Sequence, residues 1–200
     1  MIYNLIKKFF CFLFNYICHW EVKGKQNFPQ QGPVLVLANH RSLWDPIAVA
    51  ASLDRPVHFM AKEELFKVPL LGMLLKVVGT FPVKRQKSDR AALKTALQVL
   101  HNQEVLGMFP EGTRSNSYEL LPFHSGAALI ALRTGAPILP VACIGTKNIW
   151  EKGAFHSFKV IIGEVIYLNE HVIMDGTEID QGTQLLQDTI SAMLKSVEGN

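Results

Sequence analysis

Short runs of consecutive apolar residues alternate along this chain with segments whose apolar positions recur every three to four residues. The runs at 33–38 (PVLVLA), 57–60, 80–83, 105–109 and 138–144 read as strands, the first entered at a proline. Residues 158–168 hold one or two more strands around Gly163. Helical patterning covers 46–52, with Pro46 suited to a first turn, and most of 65–78. It also covers 88–101, where Leu93, Ala96, Leu97 and Leu100 share a face and Ser88 is the expected cap. The stretch 125–134 is a helix stopped by Gly135. At the end, Ile179, Leu186, Ile190, Met193, Leu194 and Val197 line one helical face. Strands separated by helices predict an α/β fold, a single domain whose largely parallel central sheet is flanked by helices. In such sheets chemistry sits in the loops just past the strand ends.

The first twenty residues, MIYNLIKKFFCFLFNYICHW, are different. Their apolar run is too short to span a bilayer, which takes about 20 apolar residues. No small-residue cleavage site follows. On a helix, Asn4, Lys7, Lys8, Asn15 and His19 fall within roughly a 120° arc, and aromatic and aliphatic side chains cover the rest. That pattern predicts an N-terminal amphipathic helix lying in the membrane interface. The plainer alternative is a helix docked on the domain's own core. Residues 21–32 read as a linker, so the division is a membrane-interface helix at 1–20 and the main domain at 21–200. The apolar stretch 70–78 is read as plain core, with an acyl-lining role as the alternative.

Composition narrows the function classes. The net charge is +3, which suits anionic lipid or phosphorylated partners but falls short of the clustered excess that nucleic-acid binding needs. Three cysteines with no Cys-x-x-Cys spacing leave no disulfide framework or zinc motif, and nothing points to a metal or a cofactor.

Two blocks carry candidate chemistry. In NHRSLWDP, residues 39–46, His40 follows a strand directly and Asp45 precedes a proline-led helix. Five residues apart on one helix they would diverge by roughly 140°. A turn can instead join them, so that Asp45 fixes the tautomer and His40 acts as a general base. The alternative is a loop histidine beside an aspartate that caps the helix. In FPEGTRS, residues 109–115, Gly112 and Thr113 can present backbone N–H groups to an anion, and Arg114 offers a planar fork for phosphate. Glu111 would orient Arg114 or meet a substrate hydroxyl. A solvated surface turn is the alternative here. Lys62 and Arg85 add basic groups near strand ends, each also readable as surface charge. Gly-x-Ser-x-Gly, the phosphate loop and the dinucleotide fingerprint are absent. A base with no protein nucleophile suggests direct transfer to a substrate hydroxyl.

Taken in order, NHRSLWDP, GTFPVKR, FPEGTRS and APILPVA resemble the four motifs of the glycerophospholipid acyltransferase family, over roughly residues 20–170. The resemblance places Arg85 at the arginine of the second motif. His124, in FHSG, departs from the lysine-rich version of that segment. The resemblance implies an acyl thioester donor, acyl-ACP or acyl-CoA, and lysophosphatidic acid as acceptor, giving phosphatidic acid in phospholipid biosynthesis. It implies His40 and Asp45 as the catalytic pair. Lys62, Arg85, Glu111, Gly112, Thr113 and Arg114 would form the substrate pocket, at the cytoplasmic face of a membrane. Glycerol-3-phosphate or another lysophospholipid remains open as acceptor, as do a thioesterase-like hydrolase and an anionic-lipid binding module.

Overall fold

A computed structural model describes residues 2–84, 89–115, 117, 119–173 and 175–198. In chain order the elements begin with helix α1 (Ile2–Tyr16), strands β1 (Glu21–Lys23) and β2 (Val34–Ala38), helix α2 (Asp45–Ser52) and strand β3 (Val57–Lys62). Helix α3 (Pro69–Val77), strand β4 (Phe81–Val83), helix α4 (Arg90–His101), strand β5 (Val105–Met108) and helix α5 (Gly126–Thr134) follow. The chain then forms strand β6 (Ile138–Ile144), the hairpin strands β7 (Trp150–Glu151) and β8 (Ala154–Phe155), strand β9 (Lys159–Ile162) and helix α6 (Glu178–Glu198).

Seven strands form one sheet in the order β1-β9-β6-β2-β5-β3-β4. Within this sheet every described strand pairing is parallel except β6 with β9. The expected fold class therefore holds. Strand β2 sits at the centre and is buried along its whole length. Its alternate residues serve two cores. Val34, Val36 and Ala38 face Phe14 of α1 and Ala48 and Val49 of α2. Leu35 and Leu37 face Ala96 of α4, Ala128 of α5 and Ile190 of α6. A sheet covered on both faces has no polar alternation, which is why its strands read as continuous apolar runs.

Three local expectations need correction. The 21–32 linker contains β1, which pairs with β9 at the sheet edge; three residues are too few to show a period. Helix α4 is capped by Asp89, whose carboxylate accepts from the N–H groups of Ala91 and Ala92 at 3.0 Å. The expected cap, Ser88, lies outside the described residues. The core reading of 70–78 fails: Leu70, Met73, Leu74 and Val77 are exposed. Helix α3 docks through Gly72, where a Cβ would lie 2.3 Å from the Phe66 carbonyl oxygen.

Helix α1 divides its apolar residues between two sides. Phe10 and Phe14 pack on Trp44, and Tyr3 accepts from the Val57 N–H. Lys7, on the polar arc, turns inward and donates to the Leu53 carbonyl at the end of α2. Leu5, Phe9, Phe12 and Tyr16 form an exposed stripe on the other side. Among the described residues no helix is long and apolar enough to cross a membrane.

Candidate active site

Where β2 ends, the chain turns out of the sheet through two buried polar residues, Asn39 and His40. Asn39 continues the ladder with its side chain: Oδ1 accepts from the Cys143 N–H at 2.7 Å, and Nδ2 donates to the Cys143 carbonyl at 3.0 Å. That double bond ties the exit of β2 to β6. His40 follows, with its ring stacked on Phe109 at 4.2 Å between centroids. Phe109 in turn stacks on Phe59 at 5.6 Å. This layering depends on Gly107, where a Cβ would stand 2.4 Å from the Phe59 ring.

The turn brings Asp45 back to His40. Asp45 Oδ2 lies 3.0 Å from His40 Nδ1 and accepts the backbone N–H groups of Arg41 at 2.6 Å and Ser42 at 2.7 Å. The Thr146 hydroxyl donates to Oδ1. Although Asp45 begins α2, its carboxylate makes no capping bond to that helix. All its donors come from the loop and from Thr146, so the helix-cap alternative does not describe it. A fully buried carboxylate needs such partners to remain charged. An acceptor on Nδ1 places that nitrogen's proton and leaves Nε2 as the basic nitrogen. Among the described residues none bonds Nε2. Burial, and the Asp45 charge beside it, push the Cys143 thiol up, so it stays protonated at the foot of the site.

The FPEGTRS block meets His40 from the far side. Glu111 is buried; Oε1 accepts the His40 backbone N–H at 2.6 Å and Oε2 that of Leu121 at 3.0 Å. The Ser115 N–H closes the junction by donating to the His40 carbonyl at 2.8 Å. Both Glu111 oxygens are thus engaged by main chain, which makes it a clasp on the catalytic loop rather than a partner for Arg114. Burial pushes its carboxyl above the usual range, against the two N–H donors and the nearby Arg41 charge. Gly112 has φ +67°, and a Cβ there would lie 2.8 Å from the His124 ring. Glycine is therefore required where the backbone turns past His124.

The structure joins His40, Asp45, Glu111 and Gly112 in one place. Thr113 and Arg114 follow in the same turn with exposed side chains. Lys62 ends β3 half-exposed and pairs with Glu64 at 3.3 Å. Arg85 lies outside the described residues. Sequence reasoning missed Asn39, Thr146 and Phe109 as parts of the site. Asn39 carried a weak signal, a polar residue wedged between a buried strand and a candidate base. Thr146 carried none, since only the fold brings it to Asp45.

Two cavities are lined by neighbours of the His40–Asp45 pair and share no described lining residue. One, of about 460 Å³, is lined by Phe109, Gly112 and His124 beside apolar side chains such as Met60, Leu93 and Ile130, with Lys84 and Arg90 also on its wall. The other, of about 470 Å³, is polar and lies on the Asp45 side. Among the described residues no three or more His, Cys, Asp or Glu groups gather as metal ligands.

The chain is similar to several known proteins. A 1-acyl-sn-glycerol-3-phosphate acyltransferase of Bacillus subtilis is 34% identical over 151 residues, covering 74% of this chain and 73% of that protein. One of the same name from Borreliella burgdorferi is 28% identical over 184 residues, covering 88% of this chain and 72% of that protein. The crystal structure of the 1-acyl-sn-glycerophosphate (LPA) acyltransferase PlsC from Thermotoga maritima matches with a TM-score of 0.83 at 26% identity, covering 100% of this chain and 80% of that chain. The family model described as Acyltransferase matches residues 19–144, a span that holds His40, Asp45 and the whole FPEGTRS block, and the chain belongs to that family.

Proposed function

We propose that this chain transfers a fatty acyl group from an acyl thioester to the sn-2 hydroxyl of lysophosphatidic acid, giving phosphatidic acid. The observation that carries the reading is the buried His40–Asp45 pair at 3.0 Å, with the FPEG turn bolted to the backbone of His40. His40 Nε2 takes the hydroxyl proton as the acceptor oxygen attacks the thioester carbonyl. The tetrahedral intermediate then expels the thiolate, which recovers that proton from His40. Asp45 holds the tautomer and stabilises the imidazolium. Holding both substrates at one base supplies much of the acceleration.

The cavity beside Phe109 suits the acceptor. Its apolar wall takes the acyl chain, and the cations at its rim, with Arg114, Lys62 and Arg85 as further candidates, take the phosphate. Purified protein given radiolabelled lysophosphatidic acid with acyl-ACP or acyl-CoA should form phosphatidic acid. No diacyl product from either donor would overturn the reading. A panel containing glycerol-3-phosphate and other lysophospholipids tests the acceptor, and acyl release without an acceptor would favour a hydrolase. Arg114→Ala should raise the acceptor KM about tenfold, the scale of one charge-assisted bond to phosphate; an unchanged KM returns Arg114 to an ordinary surface turn.

Membrane association is part of the same proposal. The connections β2 to β3 and β3 to β4 step across the sheet in the same direction. Right-handed crossovers then put α2 and α3 on one face, the face that α1 also covers. The exposed stripe of α1, the apolar side of α3 and Leu43 in the catalytic loop are thus available to one lipid surface, at the cytoplasmic side where thioester donors are made. Flotation with anionic vesicles should be lost when residues 1–20 are deleted; unchanged flotation removes α1 from the interface.

A further inference from the structure

The polar cavity on the Asp45 side has no part in the acceptor site just described. Its lining includes residues next to, and bonded to, the Asp45 carboxylate. Arg41, which lines it, donates its main-chain N–H to Asp45 at 2.6 Å. Gly145 and Lys147, also on its wall, flank Thr146, the hydroxyl donor to Asp45. Its described lining contains no apolar side chain. The guanidinium-bearing Arg41, the ammonium-bearing Lys147 and the imidazole of His156 face one carboxylate, Glu151, with Asn148 and Ser157 as neutral hydrogen-bonding groups. The β7–β8 hairpin and the segment after it, which supply Glu151, His156 and Ser157, build its outer wall.

Direct transfer needs two substrates that reach one base from separate sites. The apolar cavity with a cationic rim has the character of an acylated glycerol phosphate. The remaining substrate is a thioester, and its carrier is a long polar arm ending in phosphate. We infer that the cavity lined by Arg41, Lys147 and His156 binds the phosphorylated pantetheine arm of the acyl donor, the portion common to acyl carrier protein and coenzyme A. The cations receive the phosphate. Asn148 and Ser157 meet the arm's amides and hydroxyl. The arm then runs past the loop after β2, so that its thioester meets the acceptor hydroxyl at His40 Nε2. This inference rests on the acyl-transfer reading.

The test compares wild type with Lys147→Glu, His156→Ala and the double variant; both side chains are exposed, so folding is retained. Three donors carrying one acyl chain are used: acyl-ACP, acyl-CoA and acyl-pantetheine, which has no phosphate. The double variant should raise the KM of both phosphorylated donors by about tenfold or more. The acceptor KM and the KM for acyl-pantetheine should stay at the wild-type values. A rise confined to acyl-CoA would assign the cavity to the nucleotide phosphates and overturn the shared-arm assignment. A rise in the acceptor KM in place of the donor KM would overturn it by placing the acceptor there. Calorimetry with 4′-phosphopantetheine and pantetheine alone separates this inference from the acyl-transfer reading, because it needs no turnover. Wild type should bind the phosphorylated compound about tenfold more tightly, and the double variant should not distinguish the two. Equal binding by wild type overturns the site whatever the enzyme assay shows.

Discussion

Two buried carboxylates hold His40, one at its ring and one at its backbone, and their surroundings differ. Asp45 grips the ring. It collects His40 Nδ1, two loop N–H groups and the Thr146 hydroxyl. Glu111 grips the main chain and, among the described residues, collects two N–H groups, one of them from His40 itself. Asp45, the better supplied of the two, has four hydrogen-bonding partners. The less well-supplied group is held by burial above its usual titration range. The carboxylate on the imidazole and the carboxylate on the main chain therefore differ in their supply of donors, although both are hidden from solvent.

The largest separation between them should come from Asp45→Asn. An amide disturbs both the tautomer and the two loop N–H bonds, so turnover should fall by about three orders of magnitude while the fold is retained. Steady-state assay with far-UV circular dichroism checks both halves. A loss under tenfold would demote Asp45 to the same structural role as Glu111.

A smaller effect is expected at Glu111→Gln. One of its two main-chain partners would then face an NH₂ group, leaving a buried donor unsatisfied at a cost of about 1–3 kcal/mol. Urea unfolding should show the loss, and kcat should drop by about tenfold through displacement of the loop. Full stability with a collapse of turnover as deep as that of Asp45→Asn would place Glu111 in the chemistry instead.

The smallest effect is a pH dependence. The folded pKa of Glu111 is raised, so in the window above the usual carboxylate value the native state holds a proton that the unfolded chain has released. Stability from this group is complete below the unfolded pKa and is lost as pH rises through the folded one. The stability gap between wild type and Glu111→Gln should therefore narrow as pH rises above the usual carboxylate range. A gap that widens with pH would show that the N–H donors outweigh burial.

Legibility in the sequence followed the range of the interactions. The central strand, the turn that joins His40 to Asp45 and the helix after it were all readable, because five residues of loop and a local apolar run define them. The role of Glu111 was misread because its partners, His40 and Leu121, are recognised only once β2 and β5 lie side by side. The same limit explains β1, whose three residues acquire meaning from β9. It also explains α3, whose apolar pattern is the same whether its neighbours are protein or a lipid surface.

By itself the amino-acid order determined the alternation of strands and helices and the position of a histidine and a carboxylate at one strand end, because apolar periodicity and turn chemistry act over a few residues. Only the tertiary structure decided which groups complete the site. Asn39 reaches Cys143 across 104 positions of chain, and Thr146 reaches Asp45 across 101. No local pattern encodes such contacts; they exist because β6 is stacked beside β2, which carries its end to the catalytic loop.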